Sequence, residues 1–172
     1  MKIHLICLIL VLTCPGGNLC ALSSDQDELF HIQADGAEID ESTGTSFYRG
    51  RVTVDQGTMH IAADEIEIHT HDSEVIQIIA RMNKNSTELA HYEQQQDDDA
   101  ELIYADAKEI NYMIQEEKLH LTGQARLHQL PNQFEGELLQ YDVKLGIVNL
   151  QGSITPDNKS GRINMTLNPK KL

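Results

Sequence analysis

Any chemistry in this chain would have to start from histidines and carboxylates. Trp is absent, and Cys7, Cys14 and Cys20 are all confined to the N-terminal start. His69 and His71 stand two apart, with Glu67 at the same parity. On a β-strand that spacing puts all three on one face, where imidazole nitrogens and a carboxylate suit a divalent metal. A strand face turned to water has the same appearance. No cysteine or distant third histidine joins the group, so no metal and no cofactor is expected. Asp55, Glu65, Glu67, Glu135 and Glu137 fall at outward positions of alternating runs. A glycosidase would need two of them held across a sugar. Nucleophile elbow, phosphate loop and reactive thiol are all missing, and no catalytic residue is expected. Asn85-Ser86-Thr87 and Asn164-Met165-Thr166 match glycosylation sequons, which matter only in a eukaryotic secretory route.

The elements that would carry these residues are short strands. Val52 and Val54 alternate with Arg51, Thr53 and Asp55; Met59, Ile61 and Ala63 alternate with His60 and Ala62. This is the period of half-buried strands. Ser42-Thr43-Gly44-Thr45, Asp55-Gln56-Gly57-Thr58, Pro131-Asn132 and Pro156-Asp157-Asn158 are turn signals, and Gln94-Gln95-Gln96-Asp97-Asp98-Asp99 reads as an exposed loop. Turn spacing suggests roughly 14–16 strands at the usual ~5–6 residues each.

Inward parity then flips. Ile61 and Ala63 give way to Ile66 and Ile68, Ile32 and Ala34 to Ile39, Ile103 and Ala105 to Ile110 and Tyr112, and Phe134 and Gly136 to Leu139, Tyr141 and Val143. The flips sit at matched places of an internal repeat. Ala34-Asp35 with Glu38-Ile39 matches Ala105-Asp106 with Glu109-Ile110, and Tyr48–Val54 matches Leu121–Leu127. A strand keeps one interior through a parity change only at a bulge or corner. A small residue followed by an acid suits such a corner. Recurring corners predict two twisted antiparallel sheets stacked as a β-sandwich or jelly roll, all-β, with an aliphatic core.

The formal charge of −14 comes from 27 acids against 13 bases. It argues against nucleic acid and against an anionic membrane surface. Lys2, the apolar run Leu5–Leu12 and the small residues Ala21 and Ser23 fit a cleaved secretory signal over residues 1–21, with cleavage as late as 23. A lipobox at Cys14 or Cys20 is disfavoured, because Thr13 and Leu19 precede them. The expected organisation is that leader, a short segment over 22–28, one domain over 29–168 and a tail over 169–172.

His31–Asp40 (HIQADGAEID), Tyr48–Ile68 (YRGRVTVDQGTMHIAADEIEI), Ala90–Glu93 (AHYE) and Leu119–Gln129 (LHLTGQARLHQ) stand in an order that resembles the OstA-like family of periplasmic proteins. The resemblance covers about residues 29–168. One departure is Leu130-Pro131-Asn132 where the first repeat has Gln56-Gly57-Thr58. The resemblance implies a slightly open β-jelly roll in the periplasm, with a V-shaped section. Its apolar groove would hold the acyl chains of lipopolysaccharide. Its partners would be the inner-membrane C component and the outer-membrane translocon of the export machine, and copies would stack head to tail. By strand parity the groove would be lined by Phe30, Ile32, Ile61, Ile66, Ile68, Leu121, Leu127, Phe134 and Leu139. Edge pairing would use Ile32 near the N-terminus and Ile163 and Met165 near the C-terminus, with Pro169, Lys170 and Lys171 limiting it. Two other readings stay open: an assembly module that pairs through its edges and binds no lipid, and a lectin-like jelly roll, for which aromatics are scarce.

Overall fold

Alternation and tight turns generate β1 (His31–Gln33), β2 (Gly36–Asp40), β3 (Thr45–Gln56), β4 (Met59–His71), β5 (Glu74–Arg81), β6 (Ala90–Gln95), β7 (Leu102–Ala107), β8 (Glu109–Met113), β9 (Lys118–Gln129), β10 (Asn132–Asp142), β11 (Ile147–Gln151) and β12 (Asn164–Thr166). The structure, a computed structural model, describes residues 25, 28–95, 102–153 and 161–169. The leader with its cysteines, the acidic part of the polar run, the Pro156-Asp157-Asn158 turn and the tail lysines lie outside these residues. Twelve strands among the described residues are fewer than the turn spacing suggests. The reason is that β3, β4, β9 and β10 run for 11–13 residues. The chain bends at its corners without ending the strand.

All pairings are antiparallel, and the four long strands divide them into two layers. The lower half of each long strand pairs with one set of short strands and the upper half with another. In the first layer the order is β1, β3, β4, β6, β7, β9, β10, β12. In the second it is β2, β3, β4, β5, β8, β9, β10, β11. Inward residues of both layers form one cluster that includes Val54, Ile61, Ile66, Ile78, Leu121 and Leu127. The stacked arrangement expected from the parity flips is therefore present, but its sheets are joined through shared strands.

The corner itself differs in detail from expectation. Parity flips on β4, between Ala63 and Ile66, and on β10, between Gly136 and Leu139. The extra residue sits in the neighbouring strand instead. Arg49 pairs with Glu65 and Val52 with Ala63, so Gly50 and Arg51 together face Asp64. Thr122 and Ala125 pair with Leu138 and Gly136 in the same way. Gly50 and Gly123 lie at φ 84° and 80°, and Arg51 and Gln124 follow at 48° and 53°. The two bulges stand 73 positions apart and have the same shape. On the short strands the corner falls at Asp35, whose N–H donates to the Arg49 and Gly50 carbonyls at 3.1 Å, and at Lys108, whose N–H donates to the Gly123 carbonyl at 2.9 Å. The structural counterpart of Ala34-Asp35 is thus Ala107-Lys108, two residues beyond the Ala105-Asp106 match. Asp106 is occupied by His91 on the outer face. The hairpin turns are short: Gly57-Thr58, Asp72-Ser73 with both residues at positive φ as such turns favour, and Leu130-Pro131 with a cis peptide bond. The second-repeat departure therefore keeps the two-residue turn length of the first.

Candidate functional site

Several outward side chains are engaged with one another, which turns attention to the inward face. Arg81 donates to Glu67 and to Glu109, each at 2.8 Å, and ties β4, β5 and β8 together. That guanidinium holds the Glu67 carboxyl below its usual range. His69 lies 2.9 Å from the same Glu67, and His71 lies against Asp72. The His69–His71–Glu67 face thus spends its groups on neighbouring charges. His60 pairs with Asp55 at 2.6 Å and His91 with Asp106 at 2.8 Å.

Inside, the two layers enclose a continuous aliphatic space. Ile61, Ile66, Ile68, Leu121, Leu127 and Leu139, all expected at the groove, come together there and are almost wholly buried, none above 4 % exposure. Phe30, Ile32 and Phe134 pack against them from the periphery and are partly buried. Side chains of the protein itself occupy the interior. Val52, Ile78, Ile103, Ile110 and Leu119 belong to the same interior and were absent from the expected lining. Alternation along their own strands marks them, as it marked the others.

Three tyrosines line the interior as well: Tyr92, Tyr112 and Tyr141. Tyr92 on β6 and Tyr112 on β8 meet edge to face across the layers, with ring centroids 5.4 Å apart, a favourable aromatic geometry. Burial pushes the Tyr92 phenol well above 10 and the Tyr112 phenol to about 12. The Tyr92 hydroxyl donates to the Gln94 side-chain oxygen. Gln94 donates in turn to Asp25 at 3.3 Å, and the Thr58 hydroxyl also donates to Asp25. Gln56, beside that turn, donates to the Glu28 carbonyl at 3.0 Å. A string of polar groups thereby closes the interior at the β3–β4 turn. Among the described residues no buried side-chain nitrogen or oxygen lacks a partner.

Both ends of the strand order are apolar and open. Each of β1, β2, β11 and β12 pairs with a single strand among the described residues. At the N-terminal end Leu29 is 75 % and Ile39 is 62 % exposed; at the C-terminal end Met165 is 52 %, Leu167 41 % and Ile163 39 % exposed. A hollow of about 600 Å³ lies between β11 and β12, bounded by Leu150, Gly152, Arg162 and Ile163. Ile163 and Met165 were expected at this edge by alternation. The N-terminal edge was expected near Leu29 to Ala34, and Ile39, inward by its parity, extends it onto β2.

Residues 31–147 match the family model for the LptA/(LptD N-terminal domain) LPS transport protein. The lipopolysaccharide export system protein LptH of Pseudomonas aeruginosa is 32 % identical over 154 residues, covering 88 % of this chain and 85 % of the relative. The lipopolysaccharide export system protein LptA of Escherichia coli K12 is 28 % identical over 125 residues, covering 72 % of this chain and 65 % of the relative. The crystal structure of LptH, the LptA-homologous periplasmic component of the conserved lipopolysaccharide transport device of P. aeruginosa, superposes with a TM-score of 0.73 at 29 % identity, covering 85 % of this chain and 99 % of that one.

Proposed function

The chain belongs to the LptA/LptD N-terminal family of lipopolysaccharide transport proteins, and we propose that it is a periplasmic bridge component that carries lipopolysaccharide by its acyl chains. The observation that supports this most is the continuous aliphatic interior running between two open edges. Acyl chains would enter between the layers and replace contacts that side chains now make with one another. The exchange conserves buried apolar area, the quantity that drives such binding at about 25 cal/mol per Å². It therefore proceeds without a large loss at either stage, as a conduit requires. The −14 charge leaves the anionic headgroup in solvent. The inner-membrane C component would dock at one edge and the outer-membrane translocon at the other, with copies of this chain stacked head to tail between them.

A photo-crosslinker at Ile32, Ile61, Ile68 or Phe134 should capture lipopolysaccharide, and one at Thr53, His60 or Glu67 should not. The filled interior favours one rival, an assembly module that binds no lipid. No labelling of either set would decide for that rival, and equal labelling of the two would overturn the assignment of lipid to the inward face.

A further inference from the structure

We infer that the joint between successive copies repeats, residue for residue, the joint already present between the two halves of one chain. The inference rests on the head-to-tail assembly proposed above and fixes its register.

Residues 31–95 and 102–166 contain the same six strands in the same pairing scheme. β1 and β2 flank β3 as β7 and β8 flank β9. β5 and β6 flank β4 as β11 and β12 flank β10. The halves join through β5 on β8 and β6 on β7, both antiparallel. What β5 and β6 offer to β8 and β7, β11 and β12 offer to the outside. The matching face, β2 and β1, is open at the other end.

The registers carry over directly. Within the chain Ala80 faces Ile110 and Ile78 faces Tyr112. Through the β4–β5 and β10–β11 registers, Ala80 corresponds to Leu150 and Ile78 to Val148. The 73-residue spacing takes Ile110 to Ala37 and Tyr112 to Ile39. Leu150 would thus face Ala37 of the incoming copy, and Val148 its Ile39. In the other layer Tyr92 faces Ala105 and Ala90 faces Ala107. Their counterparts set Met165 against Ile32 of the incoming copy and Ile163 against its Ala34. Every inward pair generated this way is apolar against apolar. A slip by one residue would set each against an outward-facing residue of the other strand. The most exposed apolar residues of β2 and β12, Ile39 and Met165, are covered.

The outward pairs differ. Arg81–Glu109 and His91–Asp106, both at 2.8 Å, brace the internal joint. Their counterparts between copies are Gln151 with Gly36 and Asn164 with Gln33, which carry no charge. The joint between copies has the register of the internal one without these two ion pairs, and so it is the weaker of the two.

Disulfide trapping reads the register. Directly opposed antiparallel residues lie ~4.5–5.5 Å apart at Cα, within disulfide reach. A slip of two residues keeps the face but separates the same Cα atoms by about 8 Å, outside it. The full chain carrying Cys7→Ser, Cys14→Ser and Cys20→Ser would receive Met165→Cys with Ile32→Cys, or Met165→Cys with Phe30→Cys as the slipped control. Mild oxidation should give a ladder of disulfide-linked copies with the first pair and about tenfold less with the second. Sedimentation velocity on reduced samples reports association independently, and circular dichroism reports folding. Folded variants that associate but crosslink equally well, or better, with the slipped pair overturn the register. Folded variants that do not associate at any concentration overturn the head-to-tail reading itself.

Discussion

Replacing Gly50 or Gly123 by Ala tests whether the corner rests on two glycines, and the two sites should respond alike. Both lie in the left-handed region, at φ 84° and 80°, where a Cβ costs about 1–2 kcal/mol. Their surroundings are alike. A Cβ at Gly50 would stand 2.7 Å from Asp35 Cβ, which is fixed by the backbone, and 2.5 Å from Asp35 Oδ2, which can turn away. A Cβ at Gly123 would stand 2.9 Å from Lys108 Cβ, which is fixed by the backbone. Overpacking of that kind adds roughly 1–3 kcal/mol. Gly50→Ala and Gly123→Ala should therefore each cost about 2–5 kcal/mol, of which about 1–2 kcal/mol is backbone strain and the excess is steric. At ~2–4 °C per kcal/mol for a domain of this size, thermal melts resolve both losses. A second substitution isolates the steric part. Lys108→Gly removes the offending Cβ and should recover most of the excess at Gly123 in a double-mutant cycle, whereas Lys108→Ala keeps it, relieves only the Cγ contact at 3.0 Å and should recover less. A negligible loss at either site, or equal recovery by the two Lys108 variants, would refute the account of the corner.

Two further outcomes follow from the ionisable groups. The hydrogen bond to Asp106 raises the His91 imidazole above 6.5, with Glu93 contributing. Stability from that pair is complete below the unfolded value and is lost as pH rises through the folded one. Asp106→Asn should bring the NMR titration midpoint of His91 down and remove its share of the stability lost as pH rises through that midpoint; an unmoved midpoint would sever the link to Asp106. Burial sets Tyr112 near 12, so its phenolate absorbance should appear only around that pH and vanish in Tyr112→Phe. A Tyr112 wave close to 10 would mean that water already reaches between the layers.

Alternation carried most of the architecture into the sequence. Each inward aliphatic of β4 and β9 is legible from its neighbours, since a one-residue error would turn the whole strand to solvent. The flip at Ala63–Ile66 is equally legible. Its compensation is not, because the extra residue lies on β3 at Gly50-Arg51, and pairing is a property of two strands. The same limit misplaced the second corner. Ala105-Asp106 copies Ala34-Asp35 in letters, but the ladder from β9 puts the bend at Ala107-Lys108. The interior shows the third limit. Parity says that Ile61, Ile68 and Leu127 face inward; whether the layers part for a guest depends on the balance between self-contact and lipid contact, which alternation does not encode. Tyr92 illustrates a milder case, inward by parity yet passed over because the surrounding stripe is aliphatic.

The order of strands from β1 and β2 to β11 and β12 follows a single direction through both layers. Ladder hydrogen bonds run across the strands and hence along that direction. Tension between the two ends therefore pulls on these bonds lengthwise and peels one ladder at a time, where sliding strands past each other would strain a whole ladder at once. Under such a load the weakest seam yields first. Within the chain Arg81, Glu109, His91 and Asp106 reinforce the central seam. A row of copies stretched between two membranes would part at the seams between them, which lack these two ion pairs, and leave every domain whole, ready to join again when the gap closes.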